Sequence, residues 1–82
     1  GLARTFVNSG VRVNVIAPGG VDTQMMTATQ TKAQLDSFIE MIPMGRLAEP
    51  KEVAQAAVFL ASNAASYITG ALINVSGGQL MY

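Results

Sequence analysis

The chain changes hydrophobic rhythm along its length. Residues 1–8, GLARTFVN, place Leu2, Ala3, Phe6 and Val7 at the spacing of one helical face, and Gly10 suits a C-terminal stop. The run VRVNVIA at 11–17 then changes to a period of two. Val11, Val13 and Val15 share one side, while Ile16 and Ala17 make the far end apolar on both. This pattern predicts a strand of a parallel sheet, buried on both sides near its C-terminal end. Residues 19–47 form a long connection. Within it TKAQLDSFIEM aligns Leu35, Phe38, Ile39 and Ile42 on one helical face, and Pro43 ends the segment. Pro50 suits the first position of another helix, PKEVAQAAVFLAS, with Glu49 as its cap and Glu52 in its first turn. Val53, Ala54, Ala57, Phe59, Leu60 and Ala61 make that helix apolar over more than one stripe. A short apolar strand, ALINV at 71–75, runs into Ser76, Gly77 and Gly78.

Strand, helical crossover and strand make a βαβ unit, and the fold class is α/β with a parallel sheet; such crossovers are right-handed almost without exception. Two parallel strands alone leave edges rich in valine and isoleucine, so the first strand requires another neighbour. Composition points the same way. Half of the 82 residues are hydrophobic and 12% are charged, too little polar cover for a domain whose size leaves so much surface. The expectation is a piece of something larger, or a subunit that buries surface against copies of itself. That the first residue is Gly1 favours the partial chain.

Charge narrows the function classes. Five basic residues balance five acidic ones, so there is no basic stripe for nucleic acid or an anionic membrane surface. With no cysteine and no histidine, disulfides, thiolate zinc sites and histidine bases are excluded, and no metal site is expected. The lack of cysteine fits a cytoplasmic location. No apolar run approaches the ~20 residues of a membrane span, and no signal peptide is recognisable.

Candidate chemistry gathers where the first strand ends, in VNVIAPGGVDTQM. In open α/β sheets, ligands bind beyond the carboxyl ends of the strands. Pro18 fixes its own φ, and Gly19 and Gly20 permit unusual backbone angles or close approach of a flat ligand. The N–H groups of Val21 and its neighbours could donate to an amide or phosphate, and Thr23 adds a hydroxyl. The plain alternative is a turn, for which Pro-Gly is a common dipeptide.

Three blocks in order, VRVNVIAPGGVDTQM, IPMGRLAEPKEVAQAAVFLAS and ASYITGALINVSGG, closely resemble the C-terminal part of the short-chain dehydrogenase/reductase family, including its 3-oxoacyl-carrier-protein reductases. The resemblance covers essentially the whole chain. It implies the last two strands and intervening helices of one Rossmann-type, NAD(P)-binding domain, with residues 1–82 as its C-terminal segment and its N-terminal part absent. It also implies an oxidoreductase that transfers hydride between NAD or NADP and a small-molecule or carrier-bound carbonyl or secondary alcohol. Pro18 and Gly19 would then shape the wall beside the nicotinamide, with Gly20 next to them among the cofactor-binding residues. Val21 would bond the carboxamide through its backbone, and Thr23 the carboxamide or diphosphate end. Residues 24–42 would be a mobile segment over the substrate, with Met25, Met26 and Met41 either as its adaptable apolar face or as ordinary packing.

Other positions have scaffold readings. Arg46 matches an arginine frequent in the family and is expected to be a paired, buried hydrogen-bonding element rather than a substrate contact. Asn14, inside an apolar strand, is expected to hold neighbouring backbone. Tyr67 is expected to pack, with its hydroxyl bonded at the rim. No catalytic residue is expected among these 82. The family's serine and its tyrosine-x-x-x-lysine pair should lie upstream, because Tyr67 is followed four residues later by Ala71 and Tyr82 is the last residue. Without histidine, Ser62, Ser66 and Ser76 cannot form a hydrolase triad. By the same resemblance, residues 50–62 and the strand 71–75, with the terminal GGQLMY, would make dimer or tetramer contacts. The alternative is a non-catalytic assembly or regulatory module that retains those contacts.

Overall fold

A computed structural model of the chain describes residues 1–79. Leu80, Met81 and Tyr82, part of the expected oligomer contact, lie outside the described residues. Helix α1 (Leu2–Phe6) tightens into a 3₁₀ turn at Val7–Ser9 and stops at Gly10, whose φ of 76° is the left-handed conformation glycine tolerates. Strand β1 (Val15–Pro18) follows, then helices α2 (Gln24–Thr29), α3 (Lys32–Glu40) and α4 (Pro50–Ala61). A 3₁₀ turn at Asn63–Ala65 leads into strand β2 (Leu72–Val75).

The two strands form a parallel α/β pair, in the register Val15 to Leu72, Ile16 to Ile73, Ala17 to Asn74 and Pro18 to Val75. Helix α4 packs on both strands. Ile16 faces it across a crevice shared with Ala57, Leu60 and Ala61.

β1 begins later than the alternation predicts, because over residues 11–14 side chains take up much of the bonding, beside a main-chain bond from the Gly70 N–H to the Val13 carbonyl at 2.8 Å. The Asn14 amide donates to the Ile68 carbonyl at 3.0 Å and accepts from the Ala71 N–H at 3.0 Å. The Val13 N–H donates to the Thr69 hydroxyl at 3.1 Å, and Arg12 donates to the carbonyls of Ile68 and Ser62. Asn14 thus has the backbone-holding role expected of it. The strand is also not buried on both sides: among the described residues only α4 covers the sheet. Val15 is 53% exposed and its partner Leu72 54%, on the face opposite Ile16.

The buried apolar residues are Ile42, Leu60 and Ala65, a sparse core. The radius of gyration, 15.5 Å, exceeds the ~12 Å of a compact domain this long. Tyr67 is fully exposed and its hydroxyl has no hydrogen bond among the described residues, contrary to the packed position expected. Ala65, completely buried, takes the inward place in that turn instead.

Helix starts follow local chemistry. The Thr31 hydroxyl accepts from the Gln34 N–H at 3.1 Å, and the Gln34 side chain accepts from the Thr31 N–H at 2.8 Å, a closed capping box for α3. Leu35, Phe38 and Ile39 turn their shared face inward, and Ile42 is 3% exposed. Pro50 begins α4 as expected.

Candidate functional site

The site is built where both strands end and one loop crosses them. The β1 ladder continues through the Gly19 N–H, which donates to the Val75 carbonyl at 2.9 Å. Residues 43–48, between α3 and α4, form a strap across both ends. The Met44 N–H donates to the Gly77 carbonyl at 3.0 Å, and the Ala48 N–H to the Gly20 carbonyl at 2.9 Å. The Asp22 N–H returns a bond to the Ala48 carbonyl at 2.8 Å. Val21 and Ala48 therefore form an isolated parallel bridge.

In a parallel bridge of this form, the groups flanking Val21 make the bonds, and its own N–H and carbonyl point to the other side. Neither has a hydrogen-bond partner among the described residues. Half-buried Val21 thus presents a donor and an acceptor side by side at the strand end. That pair can meet a carboxamide, which carries one acceptor and one donor.

The glycines before it are explained by protein neighbours. A Cβ on Gly19 would lie 3.0 Å from the Ser76 Cα, and one on buried Gly20 would overlap the Phe38 ring and come within 3.0 Å of Leu47 Cδ2. Neither glycine has a positive φ. Their lack of a side chain lets β1 close on β2 and lets α3 sit on the strand end, a requirement that unusual angles do not explain. Pro18 is exposed in the last ladder pair.

Thr23 caps α2: its hydroxyl accepts from the Met26 N–H at 3.2 Å and retains its own proton to donate. Met25 and Met41 are exposed, at 77% and 65%, and Met26 is half-buried. The first two are therefore not core packing among the described residues. A cleft of about 310 Å³ opens beside the strap, lined in part by Gly20, Met44, Arg46, Ala48, Glu52 and Asn74. Of the five predicted cofactor residues only Gly20 lines it; Pro18, Gly19, Val21 and Thr23 lie outside it.

Arg46 anchors the strap. Its guanidinium grips both oxygens of Glu52, at 2.7 and 3.0 Å, and donates to the Leu47 carbonyl at 3.2 Å. The expected pairing is present, but the side chain is half exposed rather than buried, because its partner lies on the outer first turn of α4. Glu52 also accepts from the Glu49 N–H at 2.8 Å, and Lys51 pairs with Glu49 at 3.2 Å. The bond from Arg46, then that from the Glu49 backbone, lowers the Glu52 carboxyl to about 2; the bond to Glu52 raises Arg46.

The strap's contact with the wall escapes sequence reasoning, since it is main-chain. The one signal was Arg46 ahead of a helix start carrying Glu52. Among the described residues no group of His, Cys, Asp or Glu could hold a metal ion, and no helix is long and apolar enough to cross a membrane.

Residues 1–79 match the family model described as enoyl-(acyl carrier protein) reductase. An uncharacterized oxidoreductase of Bacillus subtilis, YmfI, is 51% identical over 78 residues, 95% of this chain and 32% of the relative. The galactitol 2-dehydrogenase (L-tagatose-forming) of Cereibacter sphaeroides is 48% identical over 99% of this chain and 32% of its own length. The 3-oxoacyl-[acyl-carrier-protein] reductase FabG of Vibrio harveyi is 44% identical over 98% of this chain, again 32% of the relative. The chain spans about a third of the length of these relatives. With the ordered blocks, the parallel strand pair and a match from end to end of the described residues, the chain belongs to the short-chain dehydrogenase/reductase family.

Proposed function

We propose that these residues are the C-terminal segment of a single Rossmann-type domain in an NAD(P)-dependent oxidoreductase, supplying the wall beside the nicotinamide ring. The observation that carries this is the N–H and carbonyl of Val21, without partners among the described residues and held at the carboxyl end of β1 by the bridge to Ala48. Bound there, NAD or NADP would exchange a hydride with a carbonyl or secondary alcohol, small or carrier-bound. Val21 would orient the ring through its carboxamide, beside the wall of Pro18, Gly19 and Gly20. Thr23 would donate its remaining proton toward the carboxamide or diphosphate while continuing to cap α2.

Helices α2 and α3 supply the substrate cover. Exposed Met25 and Met41, with half-buried Met26, would give it an apolar surface that adapts to different substrates. Oligomer contacts as a dimer or tetramer are supported by the outer face of α4, where Val58 is 69% and Phe59 50% exposed, and by β2 beside it. A cytoplasmic location accords with the absence of cysteine. The acid–base group is supplied by residues other than these, since Tyr67 lacks the lysine four positions on.

The test is intact mass of the natural polypeptide, followed by titration with NADH and NADPH. A chain much heavier than the 8.6 kDa accounted for by these residues, with saturable binding of either nucleotide, supports the reading. A heavier chain that binds neither overturns it.

A further inference from the structure

Arg46 reaches the candidate nicotinamide contact through two peptide planes. Held on both oxygens by Glu52, it donates through Nη1 to the Leu47 carbonyl at 3.2 Å. That carbonyl and the Ala48 N–H belong to one planar trans unit and point in opposite directions. Fixing the first therefore aims the second, which donates to the Gly20 carbonyl at 2.9 Å. The Gly20 carbonyl and the Val21 N–H form the next such unit, so the same constraint turns the Val21 N–H away from the strap. The bond from the Asp22 N–H to the Ala48 carbonyl, 2.8 Å, does the same for the Val21 carbonyl.

We infer that Arg46, clamped by Glu52, is a positioning residue that sets the direction of the Val21 N–H and carbonyl toward a nicotinamide carboxamide. The inference rests on the reading of Val21 given above. An ion pair this exposed adds little to folding, whereas a two-pronged guanidinium–carboxylate contact fixes geometry well. Lysine is a point charge without the planar fork, so its hold on Glu52 and the Leu47 carbonyl would carry no fixed geometry. The effect should fall on the ring end of the cofactor and spare its adenosine end.

The experiment uses the full natural polypeptide that carries these residues. Dissociation constants are measured for NADH and NADPH, and for ADP-ribose and its 2′-phosphate, which lack the ring. Arg46→Lys, Arg46→Gln and Glu52→Gln are compared with the parent. Thr69→Val, which removes a hydrogen bond to the Val13 N–H far from the strap, serves as a control for general destabilisation. The expected result is about a fivefold to tenfold weakening for the dinucleotide, roughly 1–1.4 kcal/mol, in all three strap variants. The ring-free nucleotide should change less than about twofold, and Thr69→Val should leave the ratio of the two constants unchanged. Equal weakening of both ligands, or no weakening in folded Arg46→Lys, overturns the inference while leaving the cofactor site standing. If the parent protein binds no dinucleotide, the reading of the site fails first, and the inference falls with it.

Discussion

The ring of Phe38 occupies the space that a side chain on residue 20 would fill, so Gly20 is the seat on which helix α3 rests. Gly20→Ala must push the ring or the strand end aside, and overpacking of this kind costs about 1–3 kcal/mol. Urea unfolding should show that loss. Phe38→Leu, paired with Gly20→Ala, should recover part of it, whereas strictly additive losses would show that the two residues do not share the space.

Glu52 gives the fold an acid-sensitive joint. Its carboxyl is lowered from 4.5 to about 2 by the bonds from Arg46 and the Glu49 backbone. A group lowered on folding stabilises above its unfolded value and loses that contribution as pH falls through the folded one. Because the pair is exposed, the difference in melting temperature between the parent and Glu52→Gln should be small; it should be constant above about pH 5, shrink between about 4.5 and 2, and vanish below. A difference independent of pH across that range would rule out the carboxylate as its source.

Asn14 holds the last turn before β2 with both ends of its amide. Asn14→Leu would leave the Ala71 N–H without its partner and the Ile68 carbonyl with Arg12 alone, at about 1–3 kcal/mol for a group that water cannot reach. Amide exchange should locate the damage. The Ala71 N–H should lose protection first, ahead of the amides of α4, and uniform loss across the chain would argue for global destabilisation instead.

Thr23 has a capping role that stands apart from any ligand. Thr23→Val should cost about 1 kcal/mol by removing the acceptor for the Met26 N–H, and Thr23→Ser should restore it. Thermal unfolding without nucleotide checks this. If Thr23→Val melts like the parent, the cap contributes nothing.

Those features that depend on a few adjacent residues could be read from the chain. Pro50 with Glu52, and Gly10 after an apolar turn, each mark a helix end, because capping is chemistry within one turn. The face carrying Leu35, Phe38, Ile39 and Ile42 was equally visible as a period. What remained hidden involves partners far apart in sequence. β1 starts later than its pattern predicts because Arg12 and Asn14 make with side chains part of the bonding that a strand makes with backbone. Tyr67 was misplaced because aromatic residues usually pack, and here Ala65 already fills the inward position. Of the candidate site, the strand end at Pro18 was legible and the reason for the glycines after it was not. Gly20 answers to Phe38, a residue whose approach no local pattern announces.

The hydrogen bonds that join the strap to the strand ends are main-chain bonds, and this makes the region permissive for redesign. Exchanging the side chains of Val21 or Ala48 for others that keep an extended backbone leaves every bond between the two segments in place. A library built at these two positions, with Arg46, Glu52 and Gly20 held fixed, would vary the cleft at Ala48 and the strand end at Val21 while preserving the frame.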